Sequence, residues 1–169
     1  MKAFFKKLLM VRLVPSWQEG YSLIEITLVG AFIALLVGLA TLNLFKFQHT
    51  SQLSATVNSF LADFKEQQLR AMYGDTNGTG TEANYGVYFG STSYTEFQNT
   101  YGTANFMVNL PSGTQISTTF PNSQVIYLKG SGEVSGFTNG QNTITLKDTV
   151  DGSQKIITVN RYGVVTSVN

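Results

Sequence analysis

The chain divides by its hydrophobic pattern into three stretches. Ile26 to Phe45 is a run of twenty residues without a charge. At 1.5 Å per residue it makes about 30 Å of helix, the thickness of a bilayer's hydrocarbon core. Beyond it the apolar positions thin to spacings of three and four: Leu53, Val57, Phe60, Leu61, Phe64 and Met72. Gln52, Asp63, Lys65, Glu66 and Arg70 fall off that stripe, so the helix continues in amphipathic form, its apolar face packing on a sheet. Gly74 with Asp75 is a stop signal. The pattern predicts one helix from Tyr21 to about Tyr73, about 80 Å long.

From Gly74 the period shortens to two. Thirteen of the sixteen glycines lie here, between short β-branched and aromatic runs. Strands are predicted at 85–89, 106–110, 115–120, 124–128, 143–147, 155–160 and 164–168. Ile144 with Leu146, Ile157 with Val159, and Val165 alternate with polar neighbours, so the last three strands read as a meander with one buried face. Asp148–Gln154 and Arg161–Gly163 are its turns. The polar, tyrosine-bearing segment 90–103 reads as an exposed loop. The fold class is α+β: a long N-terminal α-helix, membrane-spanning in its first half and amphipathic in its second, packed on a small antiparallel β-sheet head.

Charge adds a direction. Residues 1–20 carry Lys2, Lys6, Lys7 and Arg12 against Glu19, a balance of +3, while the remainder carries seven basic and nine acidic groups, a balance of −2. The positive-inside rule keeps the N-terminal end cytoplasmic and exports the C-terminal part. With no cysteine the exported part has no disulfide. Phe4, Phe5, Leu8, Leu9, Val11 and Leu13 interleave with the basic residues as an amphipathic segment that Pro15 ends.

Where the two charge regimes meet stands Gly20-Tyr-Ser-Leu-Ile-Glu25, with the apolar run behind it. A carboxylate at bilayer depth costs roughly 2.5–3.5 kcal/mol on insertion scales, so Glu25 calls for a compensating partner. Ser22 with Glu25 also fits a helix-capping box. That explains a helix start, but not a helix long enough to cross a membrane. A secretory signal peptide has a shorter apolar region and a small-residue cleavage site, and Ala40-Thr-Leu-Asn43 is a poor one. An ordinary signal anchor fits the span equally well.

Gly20, Leu23 and Glu25, followed by the apolar span, resemble the class III signal of type IV prepilins and pseudopilins. The resemblance implies cleavage between Gly20 and Tyr21 by a membrane-embedded prepilin peptidase and N-methylation at Tyr21. It also implies an assembly role for Glu25, whose carboxylate pairs with the N-terminal amine of a neighbouring subunit. Residues 1–20 are then a cleaved leader, 21–46 the transmembrane and filament-core helix, 47–73 its amphipathic half and 74–169 a β-rich pilin-like head. The first mature residue is more often Phe than Tyr, and Glu19 stands where a basic residue is usual. A proline common near the position of Leu42 is missing, which predicts less of a kink. The element order, a long helix, small antiparallel sheets and a closing strand pair, is similar to the H-type (GspH/FimT-like) minor pseudopilins and minor pilins. Some DNA-binding members carry a basic pair near the last turn, where this chain has Arg161 alone.

No enzymatic constellation is expected. His49 is the single histidine and reads as an exposed polar residue; without cysteine, zinc and Cys/His chemistry lack ligands. Gly130-Ser-Gly132 reads as a turn. Asp75-Thr-Asn77-Gly-Thr79-Gly-Thr81 matches the first half of a calcium loop, with Asp75, Asn77, Thr79 and Thr81 as candidate ligands. Gly86 falls where a bidentate Glu belongs, so a turn after the helix is the favoured reading and no cofactor is expected. Asp148 and Asp151 read as turn residues. Tyr85, Tyr88, Tyr94, Tyr101 and Tyr162 offer stacking faces for nucleic acid, but no basic stripe accompanies them. The expected function is that of a filament subunit of a type IV pilus or type II secretion-type system. Its partners are the peptidase, sibling subunits and the inner-membrane assembly platform. A filament-displayed DNA-uptake or adhesion subunit and a plain single-span anchored domain are the alternatives. Expected localisation is the cytoplasmic membrane with an exported C-terminal domain, then an extracellular or periplasmic filament.

Overall fold

The structure is a computed structural model that describes residues 21–102 and 105–169. The expected leader, residues 1–20, and with it Gly20, lies outside the described residues. Among the described residues one α-helix, α1 (Leu23–Tyr73), precedes eight strands: β1 (Tyr85–Phe89), β2 (Ser93–Gln98), β3 (Asn105–Asn109), β4 (Thr114–Thr118), β5 (Gln124–Tyr127), β6 (Thr143–Asp148), β7 (Gln154–Val159) and β8 (Val165–Val168), with a short 3-10 helix, Pro121–Ser123, between β4 and β5. The fold is α+β. Two antiparallel four-stranded sheets, ordered β3-β2-β1-β5 and β4-β6-β7-β8, divide the strands between them.

The chain forms two compact units, one ending at Thr41 and the other running from Leu42 to Asn169. In the second, a single core joins α1 to both sheets. Leu53, Val57, Phe60 and Phe64 from the helix meet Val87, Phe89 and Tyr94 from the first sheet, and Ile144, Leu146, Ile157 and Val159 from the second. The period-two residues of the meander are thus fully buried, as their alternation predicts. The helix ends in a Schellman motif: Gly74 adopts φ +65°, its N–H bonds to the Ala71 carbonyl (3.2 Å), and the Asp75 N–H reaches Arg70 (3.0 Å).

Two expectations are corrected. Within the segment read as an exposed loop, residues 93–98 instead form β2, an interior strand paired with β1 through Phe89↔Tyr94 and Tyr85↔Gln98 and with β3 on its other side. Its residues alternate between faces without alternating in polarity. Tyr94 shares a face with Phe89 and the core, while Phe97, one step out of phase, is buried on the opposite face. Phe97 fits there because Gly86 lies opposite it: a Cβ on Gly86 would stand 2.5 Å from the Phe97 ring. The second correction concerns the helix stripe. Steps of three and four from Phe64 land on Gln67, Gln68 and Ala71, all buried, and Met72 is 45% exposed. Gln68 is accommodated because its amide donates to the carbonyls of Tyr162 (2.7 Å) and Gly132 (3.2 Å).

Candidate assembly site

In the N-terminal unit the helix starts at a serine cap. The Glu25 N–H bonds to the Ser22 hydroxyl at 3.3 Å, and Ile26 N–H to the Ser22 carbonyl at 3.2 Å, so the capping geometry expected of Ser22 is present on one side. From Leu23 to Thr41 the helix is long and apolar enough to cross a membrane, and none of it is buried among the described residues. Glu25 is the only charged residue between Tyr21 and Phe45. It shares one shallow hollow with Tyr21, Ile26 and Val29. The hydroxyls inside the span are internally satisfied: Thr27 donates to the Ile24 carbonyl (2.9 Å) and Thr41 to Val37 (2.6 Å). Apart from Glu25, this surface therefore offers a neighbour mostly hydrocarbon. A Cβ at Gly30 or Gly38 would meet nothing within 4 Å, so no packing among the described residues requires either glycine.

The other sequence-predicted residues are scattered over the head. The candidate calcium ligands form a capped turn. Asp75 Oδ1 accepts the Asn77 N–H (2.8 Å), the Thr79 hydroxyl donates to the Thr76 carbonyl (2.6 Å), and the Asn77 amide donates to Gln98 (3.3 Å). Among the described residues no group of three His, Asp or Glu side chains is placed to hold a metal ion. With one carboxylate, already committed to a backbone amide, the donor set does not fit calcium. The five tyrosines do not share a surface. Tyr85 and Tyr94 belong to the core, Tyr88 stacks on Tyr101 at 4.1 Å, and Tyr162 stands apart beneath the Arg161 guanidinium. Arg161 itself lies 3.8 Å from Glu133.

Two polar clusters escape the sequence reading. His49 is not simply exposed: its Nδ1 lies 3.0 Å from Asp148 Oδ2, tying α1 to the start of the β6–β7 turn. Asp148 is buried and also accepts the Val150 and Asp151 N–H groups. The Val150 amide above all, and then His49, hold its carboxyl below the usual range. On the other sheet the Tyr94 hydroxyl donates to Asp63, and burial pushes the phenol well up. Beside it Glu96 is pushed up to about 7, first by desolvation and then by the like charges of Asp63 and Glu66, with Arg70 opposing. These pairs lie 99 and 31 residues apart in sequence, beyond the reach of any local motif.

Comparison of the chain with protein-family models, with curated proteins and with solved structures gave no match.

Proposed function

We propose that the protein is a pilin-like structural subunit, inserted in the membrane through Leu23–Thr41 and assembled into a type IV pilus or type II secretion-type filament after cleavage between Gly20 and Tyr21. The observation that carries this reading is an apolar helix that is buried against none of the described residues and bears a single carboxylate at its head. Lipid covers such a surface before assembly. Packing against the same helix of neighbouring subunits covers it afterwards, and Glu25 is then neutralised by the amine of a neighbour's Tyr21. Removing both charges from the high-dielectric phase together offsets the cost that either bears alone. It also fixes the axial register, because the pair forms at one stagger only. The prepilin peptidase and the inner-membrane assembly platform are the partners this route requires, and the head is exported.

Glu25→Ala tests the mechanism. The variant is expected to accumulate in membranes at wild-type level, with a mature chain beginning at Tyr21 by mass spectrometry, yet to be depleted at least tenfold from sheared filaments or a filament-enriched fraction. Wild-type incorporation would remove the register mechanism, and a mature chain retaining residues 1–20 would remove the peptidase step. The absence of a basic stripe around the tyrosines disfavours the DNA-uptake alternative.

A further inference from the structure

The turn that fails as a calcium loop has another chemistry. Asn77-Gly78-Thr79 has the form Asn-X-Thr with X other than proline, the acceptor pattern for N-linked glycosylation. The chain has twelve asparagines, and Asn77 is the only one with Ser or Thr two positions on. We propose that Asn77 is a glycosylation site. The proposal rests on the export of the head argued above.

Three structural observations support an accessible acceptor. The stretch from Asn77 to Glu82 is exposed throughout, and a Cβ at Gly78 or Gly80 would meet nothing within 4 Å, so a bulky substituent has room. The Asn77 amide nitrogen, the nucleophile, is held by one long bond of 3.3 Å to Gln98. Other asparagines are committed to the fold: Asn142 donates to the Val159 carbonyl at 2.7 Å, Asn160 accepts from Tyr162 and Val164, and Asn84 accepts from Lys129. Finally, the turn is tied to the core only at its two ends. The Schellman bonds anchor its start, and the Tyr85 hydroxyl, donating to the Asp75 carbonyl at 3.2 Å, anchors the strand that follows. Between them only surface bonds need break for a transferase to draw Asn77 and Thr79 into an extended conformation.

The donor is a polyprenyl-diphosphate-linked saccharide. Asn77 Nδ2 bonds to the anomeric carbon, and the bond from that carbon to the diphosphate oxygen breaks. The diphosphate leaves with the electron pair, and one amide proton passes to the transferase's base. No oxidant or reductant is needed.

The test is mass spectrometry of the full chain purified from its own cells. Trypsin releases Asn77 in the peptide 71–129, which has no internal Lys or Arg. A saccharide mass is expected on that peptide, localised to Asn77 by fragmentation, lost in Asn77→Gln and in Thr79→Ala, and kept in Thr79→Ser. A peptide at its unmodified mass, or one raised only by the ~1 Da of Asn-Gly deamidation, would overturn the proposal. So would a saccharide that persists in Asn77→Gln. Protease shaving of the cells reports export separately. An accessible head with a bare Asn77 overturns glycosylation and leaves the filament reading standing, whereas an inaccessible head overturns both.

Discussion

At the scale of the residue, the head keeps several ionisable groups in places that give them opposite pH signatures. Glu96 lies against Asp63 and Glu66 and is half-buried, and its carboxyl is pushed up to about 7. A raised carboxyl pKa means the folded state holds a proton the unfolded chain releases near 4.5. Its favourable contribution is complete below that value and is lost as pH rises through about 7. Glu96→Gln removes the term. The variant is expected to melt above wild type at pH 8 and to converge with it near pH 4.5, and a melting difference independent of pH would refute this assignment. Asp148 runs the other way. Its depressed pKa adds stability above the ordinary aspartate range, which fades as pH falls through the folded value. The two windows do not overlap: Asp148 acts only below the ordinary aspartate range and Glu96 only between 4.5 and about 7, so together they favour the pH that lies between the two windows.

At the scale of the element, the question is what ties each strand to the helix. For β2 the tie is Tyr94. Its ring meets Phe60 edge-on at 5.2 Å, and its hydroxyl donates to the Asp63 carboxylate. For β5 it is Tyr127, whose ring meets Phe64 at 5.3 Å but whose hydroxyl is buried with no partner among the described residues. The same substitution should act differently at the two sites. Tyr94→Phe forfeits a hydrogen bond to a charged acceptor and is expected to cost about 1.5–3 kcal/mol. Tyr127→Phe relieves a buried polar group and is expected to leave stability unchanged or raise it by up to about 1 kcal/mol. Urea unfolding of both variants checks the pair, and equal losses would contradict it. The contrast also shows what the sequence made legible. Helix and meander were readable because their apolar residues repeat at 3.6 and 2 along the chain, and β1 spans the residues that its β-branched and aromatic run marks. β2 was not, since it buries Tyr94 on one face and Phe97 on the other, leaving no polar face to reveal the period. Likewise Ala71 and Gln68 finish the helix's buried face, one too small and the other too polar to read as core. The proposal for Gly20, Tyr21 and Glu25 rests on a local motif in the sequence. His49–Asp148 and Tyr94–Asp63 exist only once the chain has folded.

At the scale of the whole molecule, among the described residues every fully buried residue of the hydrophobic core lies between Leu53 and Val159, and none of the stretch from Leu23 to Thr41 belongs to it. Among the described residues, the core and the helix segment long and apolar enough to cross a membrane are therefore separate sets of residues. A fragment of residues 47–169 keeps the core, both sheets, the Schellman cap and the His49–Asp148 pair. It also reaches the size at which a single core sustains cooperative unfolding without disulfides. We expect it to be soluble without detergent and monomeric by size-exclusion chromatography, with one calorimetric transition. Beginning instead at Leu53 removes His49 and leaves Asp148 buried without its imidazole partner. That shorter fragment is expected to remain folded but to melt several degrees lower, about 1 kcal/mol at the ~4–8 °C per kcal/mol typical of small domains. If the longer fragment instead bound hydrophobic dye and unfolded without a transition, the span would be part of the folding unit. The separation matters for assembly. Under the proposed filament function, a head that folds without the apolar helix would be complete before assembly, so that the exchange of lipid for neighbouring subunits around Glu25 would need no refolding step.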